Sequence, residues 1–273
     1  MMKPYQYIIS LIFAFAVLSL SACSNDDDLL QTEGENVSIT FRPTLGGELS
    51  TRAIGDAAGI NRLTVAVYEG SQTLSKKFSF SEDWDIVQRN GIELTLIEGR
   101  SYNILFWAEN SGNSAYTISD DGRITVNYDN YIEGGFANME EMDAFFGTSS
   151  ITVGTQKVEN KGTITLSRPL AQLNFADNAT QPETGTHRTE VTFHGIATAF
   201  NPFTGTVEMS DKTFVFTDFP TETLSVDGST YYYLSSNYLF APQTGTINIS
   251  ATIDLQNTDG TSIKTIELSG ITL

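Results

Sequence analysis

Apolar and polar residues alternate in short runs along most of this chain, the period of half-buried strands rather than of helices. Val37, Ile39 and Phe41 alternate with Ser38 and Thr40 and predict a first strand that ends at Pro43. Residues 44–59 hold four glycines and no clear period, which predicts an exposed loop. Leu63, Val65 and Val67 predict a second strand, Phe78–Phe80 a short edge strand, and Ile92, Leu94 and Leu96 another. Tyr102–Ala108 is apolar on both parities, as in a central strand covered on both faces. Tyr116–Ile118 and Ile124–Val126 flank Asp120-Asp121-Gly122 and predict a hairpin. Asn138–Phe146 reads as the one short helix, with Asn138 as N-cap and Glu140-Glu141 in its first turn. Ile151–Val158 reads as a strand.

Thr163–Phe175 is the pivot of the pattern. Ile164 and Leu166 hold one parity, and after Arg168-Pro169 the residues Ala171, Leu173 and Phe175 hold the other. A one-residue slip moves apolar side chains to the opposite face. Proline cannot donate to a ladder. The stretch therefore predicts a strand that leaves one sheet at Pro169 and joins another, with one β domain before it and a second after. Beyond a polar linker at 177–186, strands are predicted at Val191–Phe193, Phe214–Phe216 and Ser229–Leu239. Ile247–Leu255 gives the cleanest alternation, and the Asn257–Gly260 turn leads into Ile263–Leu273. The organisation expected is a leader at 1–22, a tether at 23–36, a β-sandwich domain at 37–176 and a second at 177–273.

The leader follows from its shape. Lys3 precedes an apolar run from Ile8 to Leu20, too short for the roughly 20 residues of a spanning helix. Leu20-Ser21-Ala22-Cys23 is similar to a bacterial lipobox, in which the cysteine thiol takes the lipid. Cys23 is the one cysteine of the chain and stands at the position that motif requires, so lipidation is expected there and no internal disulfide can form. Ser24–Asp28 is an acidic run, read either as a solvated spacer or as resembling the surface-export signal of some Gram-negative lipoproteins.

The formal net charge of −18 argues against nucleic acid as a partner. His187 and His194 differ in parity and do not predict a shared metal. Asp120-Asp121 lacks the further spaced oxygens of a calcium site. No nucleophile elbow, phosphate loop or H-E-x-x-H is present, so no catalytic residue, cofactor or metal is assigned and the chain is not expected to be an enzyme. Trp84, Trp107 and Tyr231–Tyr233 leave a glycan-binding reading open beside ordinary packing.

The quoted stretches carry a resemblance. LTVAVY at Leu63–Tyr68, FWA within Tyr102–Ala108, MDAFF at Met142–Phe146, SRPLAQLNF at Ser167–Phe175, FNPFTG at Phe200–Gly205 and Tyr231–Pro242 stand in the order found in fimbrillin-type lipoproteins of the type V pilus group. More closely, the chain resembles their fimbrillin-like subfamily, from about Val37 to Leu273. The resemblance implies an all-β protein of two transthyretin-like β-sandwich domains, lipid-anchored at Cys23 in the outer membrane and carried on the cell surface. It implies an arginine-specific cut at Arg52, release of the strand carrying Val37, Ile39 and Phe41, and filling of its groove by a strand from a neighbouring subunit. Relatives usually continue past the last strand. The chain is thus expected to lack part of its C-terminal domain, or to accept a strand without donating one. The alternative expectation is a monomeric surface lipoprotein that binds a glycan or host ligand.

Overall fold

The structure, a computed structural model, describes residues 34–46, 57–70, 75–112, 115–131, 133–135, 141–177, 185–219, 223–241 and 246–273. Its strands are β1 (Asn36–Leu45), β2 (Arg62–Glu69), β3 (Ser75–Asp83), β4 (Ile92–Ile97), β5 (Ser101–Glu109), β6 (Tyr116–Ile118), β7 (Ile124–Val126), β8 (Glu133–Gly135) and β9 (Ala144–Thr152). They continue with β10 (Val158–Leu166), β11 (Leu170–Asp177), β12 (Arg188–Phe200), β13 (Val207–Asp218), β14 (Thr223–Val226), β15 (Ser229–Phe240), β16 (Asn248–Gln256) and β17 (Ser262–Thr272). Among the described residues one α-helix, α1 (Trp84–Asn90), joins β3 to β4, and a single 3-10 turn covers Tyr128–Tyr131. The fold is all-β, as the alternation predicts.

A first sheet has the order β10-β1-β4 and a second β3-β2-β5-β9. Between them lies a core of Val37, Ile39 and Phe41 from β1, Leu63, Val65 and Val67 from β2, and Ile104, Phe106 and Ala108 from β5. The intervening residues Ala66, Tyr68, Leu105 and Trp107 point the other way, into a larger core shared with the third sheet. The second sheet is thus a middle layer, and the apolar run at Tyr102–Ala108 is its centre.

In the third sheet β12 runs beside β13. From Arg188 to His194 its other neighbour is β16, which in turn carries β17. After a bulge at Gly195, whose φ of 75° suits glycine, β12 changes partners. Ala197 meets β15 and Ala199–Phe200 meet β7. β11 and β14 both pair with β15. Pairing does not follow chain order: β6–β8, from early in the chain, hydrogen-bond into this late sheet.

The pivot behaves as its phase slip predicts. β10 ends in the first sheet at Leu166, and Ser167 makes a lone bridge to Phe146 of the second. β11 then starts at Leu170 beside β15 in the third sheet. Pro169 sits between sheets, where its carbonyl accepts from the Ala241 N–H and no donor is needed.

Three local readings are corrected. Residues 141–146 are not helical: Ala144–Phe146 open β9, Phe145 facing the first core and Phe146 the second. Residues 137–140 lie outside those described. The helix is instead α1, where the Asp83 carboxylate accepts from the Asp85 and Ile86 N–H groups at 2.9 and 3.2 Å. Ile151–Val158 is not one strand but the end of β9, a turn and the start of β10. Lastly, β1 continues past Pro43 to Leu45. Its pairing with β4 stops at Phe41, so Pro43 lies where only β10 flanks the strand.

The β6–β7 turn latches onto the turn after β12. Asn201 Nδ2 donates to the Asp121 carbonyl at 3.2 Å, and Tyr68 Oη to that of Ser119 at 3.2 Å. The Tyr68 and Phe203 rings meet edge to face at 5.5 Å. Gly122 has φ of 81°, and a Cβ there would stand 2.7 Å from the Phe203 ring. Gly122→Ala is expected to cost about 2 kcal/mol, read as a lowered urea midpoint at unchanged m-value.

Candidate functional site: the slot of the first strand

β1 is the middle strand of its sheet. Ser38–Leu45 run parallel to β10, and Asn36–Phe41 antiparallel to β4. The two ladders hold both edges of the strand, while one face supplies its side chains to the core. Val37, Ile39 and Phe41 are at most 2% exposed. Phe41 meets Phe106 edge to face at 5.2 Å. The outward residues make polar contacts: Ser38 Oγ donates to Glu93 at 2.6 Å, and Thr40 Oγ1 reaches the Glu159 carbonyl at 3.5 Å. A shift in register between Thr40 and Arg42 marks a bulge on the β10 side. Beyond the strand, the Gly46 N–H donates to the Leu166 carbonyl at 2.7 Å. The loop from β9 into β10 is held by Glu159, which accepts from the Gly154 N–H at 2.7 Å and pairs with Lys161. The Lys161 hydrogen bond, ahead of that from Gly154, holds the Glu159 carboxyl below its usual range.

Without β1, the slot would present two unpaired strand edges, β4 and β10, over an apolar floor of Leu63, Val65, Ile104 and Phe106. Such a slot can receive one extended strand whose alternate residues are apolar. Of the residues singled out in the sequence, Val37, Ile39 and Phe41 come together here. Cys23 and Arg52 lie outside the described residues.

The aromatic candidates separate. Trp84 is 5% exposed and belongs to the first core at the start of α1, so it offers no face to a sugar. Trp107 is buried, with its indole N–H donating to Glu109 at 3.0 Å. Tyr231 and Tyr232 are half-buried and Tyr233 is buried. Asp121 is a turn residue, its carboxyl held low by the Ser119 hydroxyl and the Arg123 N–H. His194 pairs with Asp211 at 2.9 Å, and no cluster of metal-ligating side chains occurs among the described residues. Sequence reading did not find the polar cleft beside β3, formed by Arg62, Lys76, Ser79 and Glu109 among others. Its members are single polar positions scattered over separate strands, with no spacing to join them.

Solved structures share this fold at low identity. A candidate polysaccharide-binding protein (DUF1812) from Bacteroides thetaiotaomicron superposes with a TM-score of 0.54 at 12% identity, over 85% of this chain and 79% of that one. The fimbrial anchor protein Mfa2 of Porphyromonas gingivalis gives 0.52 at 15%, over 86% and 83%. A candidate adhesin from Bacteroides ovatus gives 0.52 at 13%, over 90% and 86%. No curated protein matches the sequence. The model of a family of unknown function, DUF6562, matches residues 31–272.

Proposed function

This chain belongs to the DUF6562 family, a family of unknown function, and we propose that it is a fimbrillin-like surface protein that assembles by strand exchange and contributes to adhesion. The observation that carries the reading is the seating of β1: a middle strand with a buried apolar face, between two strands that would both be left unpaired by its release. The fold shared with a fimbrial anchor protein and with candidate adhesins supports the same reading. In it, Cys23 carries the lipid that holds the precursor at the outer membrane. A cut after Arg52 frees the segment that contains β1, and a strand from a neighbouring subunit takes its place. In this reading the chain works as two β-sandwich domains, the second drawing β6–β8 and β11 from the stretch before residue 178, and its role is structural rather than enzymatic.

N-terminal sequencing of the protein sheared from cells tests this. A free N-terminus at Ala53, on species that run as a ladder, is the expected result. A single species that keeps its N-terminus at Cys23 and never leaves the membrane would overturn strand exchange and favour a stand-alone surface lipoprotein.

A further inference from the structure

The first two sheets close on each other along one side and stay apart along the other. Where β9 meets β10, Ser167 bridges Phe146, and a Cβ at Gly147 would stand 2.9 Å from the Leu166 side chain. On the opposite side β3 and β4 are the sheet edges, and they share no ladder. A gap of about 280 Å³ lies between them, with Lys77 and Phe78 on one wall and Thr95 and Ile97 on the other. α1 links the end of β3 to the start of β4 at the far end of this side.

Among the described strands β3 pairs with β2 alone, so its outer edge has no backbone partner. Phe78 and Phe80 stand opposite Val67 and Val65 and so point toward the first core. Phe80 packs against that core, whereas Phe78 is 38% exposed. Edge strands are commonly blunted by charges, prolines or bulges. Here a register shift guards the end at Lys76–Lys77, while Phe78–Ser81 carries none of these devices.

The two ends of the strand select what can lie against it. Lys76 and Lys77 stand near its start, and Glu82 and Asp83 at its finish. Lys76 and Lys77 hold Asp120 and Glu69, but Glu82 and Asp83 have no cation beside them among the described residues. A second β3 laid parallel would set like charges together, which destabilises a strand pair. Laid antiparallel about a two-fold axis at Ser79, each basic end runs along the acidic end of the other copy. The same register sets Phe78 of each copy opposite Phe80 of the other, on one face of the joined sheet. The edge is thus complementary to itself, which is what a two-fold interface requires.

We propose that two copies of this chain join at β3, antiparallel about a two-fold axis at Ser79, so that their four-stranded sheets run on as one. The contact needs neither release of β1 nor a donated strand, so failure of either idea leaves the other standing. β3 has nine residues, against about 20–30 on each side of a standard interface. Pairing is therefore weak: the intact chain is a monomer at low micromolar concentration and joins as it is concentrated, with a dissociation constant between about 10 μM and 1 mM.

The test uses the chain from position 23 to 273, with Cys23→Ser to remove its one thiol. Sedimentation equilibrium should show the average mass rising with concentration toward twice that of the monomer. Phe78→Glu, at an exposed position, should raise the dissociation constant at least about tenfold. Glu82→Lys, which sets basic ends against each other, is the second variant and should weaken pairing too. Ser79→Cys should give a disulfide-linked dimer under mild oxidation, since facing positions on paired strands bring their Cβ atoms close. Ser269→Cys, exposed on edge strand β17, is the control and should link far more slowly. A mass that stays at the monomer value up to about 1 mM, a rise that both Phe78→Glu and Glu82→Lys leave unchanged, or equal linking at the two cysteines overturns the proposal.

Discussion

Arg168→Ala should remove about 3 kcal/mol of stability, the lower end of the range for breaking a buried ion pair. Arg168 stands at the pivot between the sheets. Its Nε and one terminal nitrogen donate to the two oxygens of Asp143 at 2.6 and 2.7 Å, and its guanidinium lies 4.7 Å over the Phe145 ring. The Asp143 side chain is only 6% exposed, so alanine would strand a carboxylate away from water. The lower end applies because the arginine is itself 26% exposed. Arg168→Lys should recover little, since an ammonium cannot make the paired bonds or lie flat on the ring. Urea unfolding followed by tryptophan fluorescence measures both. Pairing Arg168→Ala with Asp143→Ala should cost less than the sum of the single changes. A loss below about 1 kcal/mol for Arg168→Ala would class the contact with ordinary surface ion pairs.

A chain that begins at Ala53 should fail to stay a monomer, and a peptide of residues 35–46 added in trans should restore it. Removing β1 takes Val37, Ile39 and Phe41 out of the first core. At about 1.5–3 kcal/mol for each fully buried side chain, the loss is roughly 5–9 kcal/mol, as large as the whole stability of many domains. The slot exposes two strand edges as well, a template for pairing with another chain. Light scattering after size-exclusion chromatography reads the mass with and without peptide. A peptide with Ile39→Asp should not rescue, because the charge would enter the apolar floor. A shortened chain that stays monomeric and keeps its urea midpoint would remove the slot from consideration.

Much of this architecture was legible because strands write their exposure into alternate residues. Tyr102–Ala108 announces two covered faces, and the structure puts it between two cores. The slip at Pro169 shows the change of sheet, because a strand cannot change its buried parity within one sheet without a bulge. The helix at Trp84 carried its own signals, Asp83 before it and Gly91 after, yet was overlooked. Asn138–Phe146 offered a similar cap and a better run of helix formers, and there the demands of β9 overrode local preference. Neighbours across the sheet were not legible. Thr40 reaches Glu159 at a separation of 119 residues, and no local pattern reports a parallel partner so far away. The cleft was hidden for the same reason, since Arg62 and Glu109 become a pair only once β2 and β5 lie side by side.

The position of β1 also sets an order in time. It leaves the ribosome before either of its neighbours, and the parallel one is more than a hundred residues behind it. Closing so long a loop is entropically costly, and contacts of high sequence separation form slowly. β2, β3 and β5 can meet as local antiparallel neighbours well before then. The first strand made therefore waits for β10, at Val158–Leu166, before both of its edges can be paired.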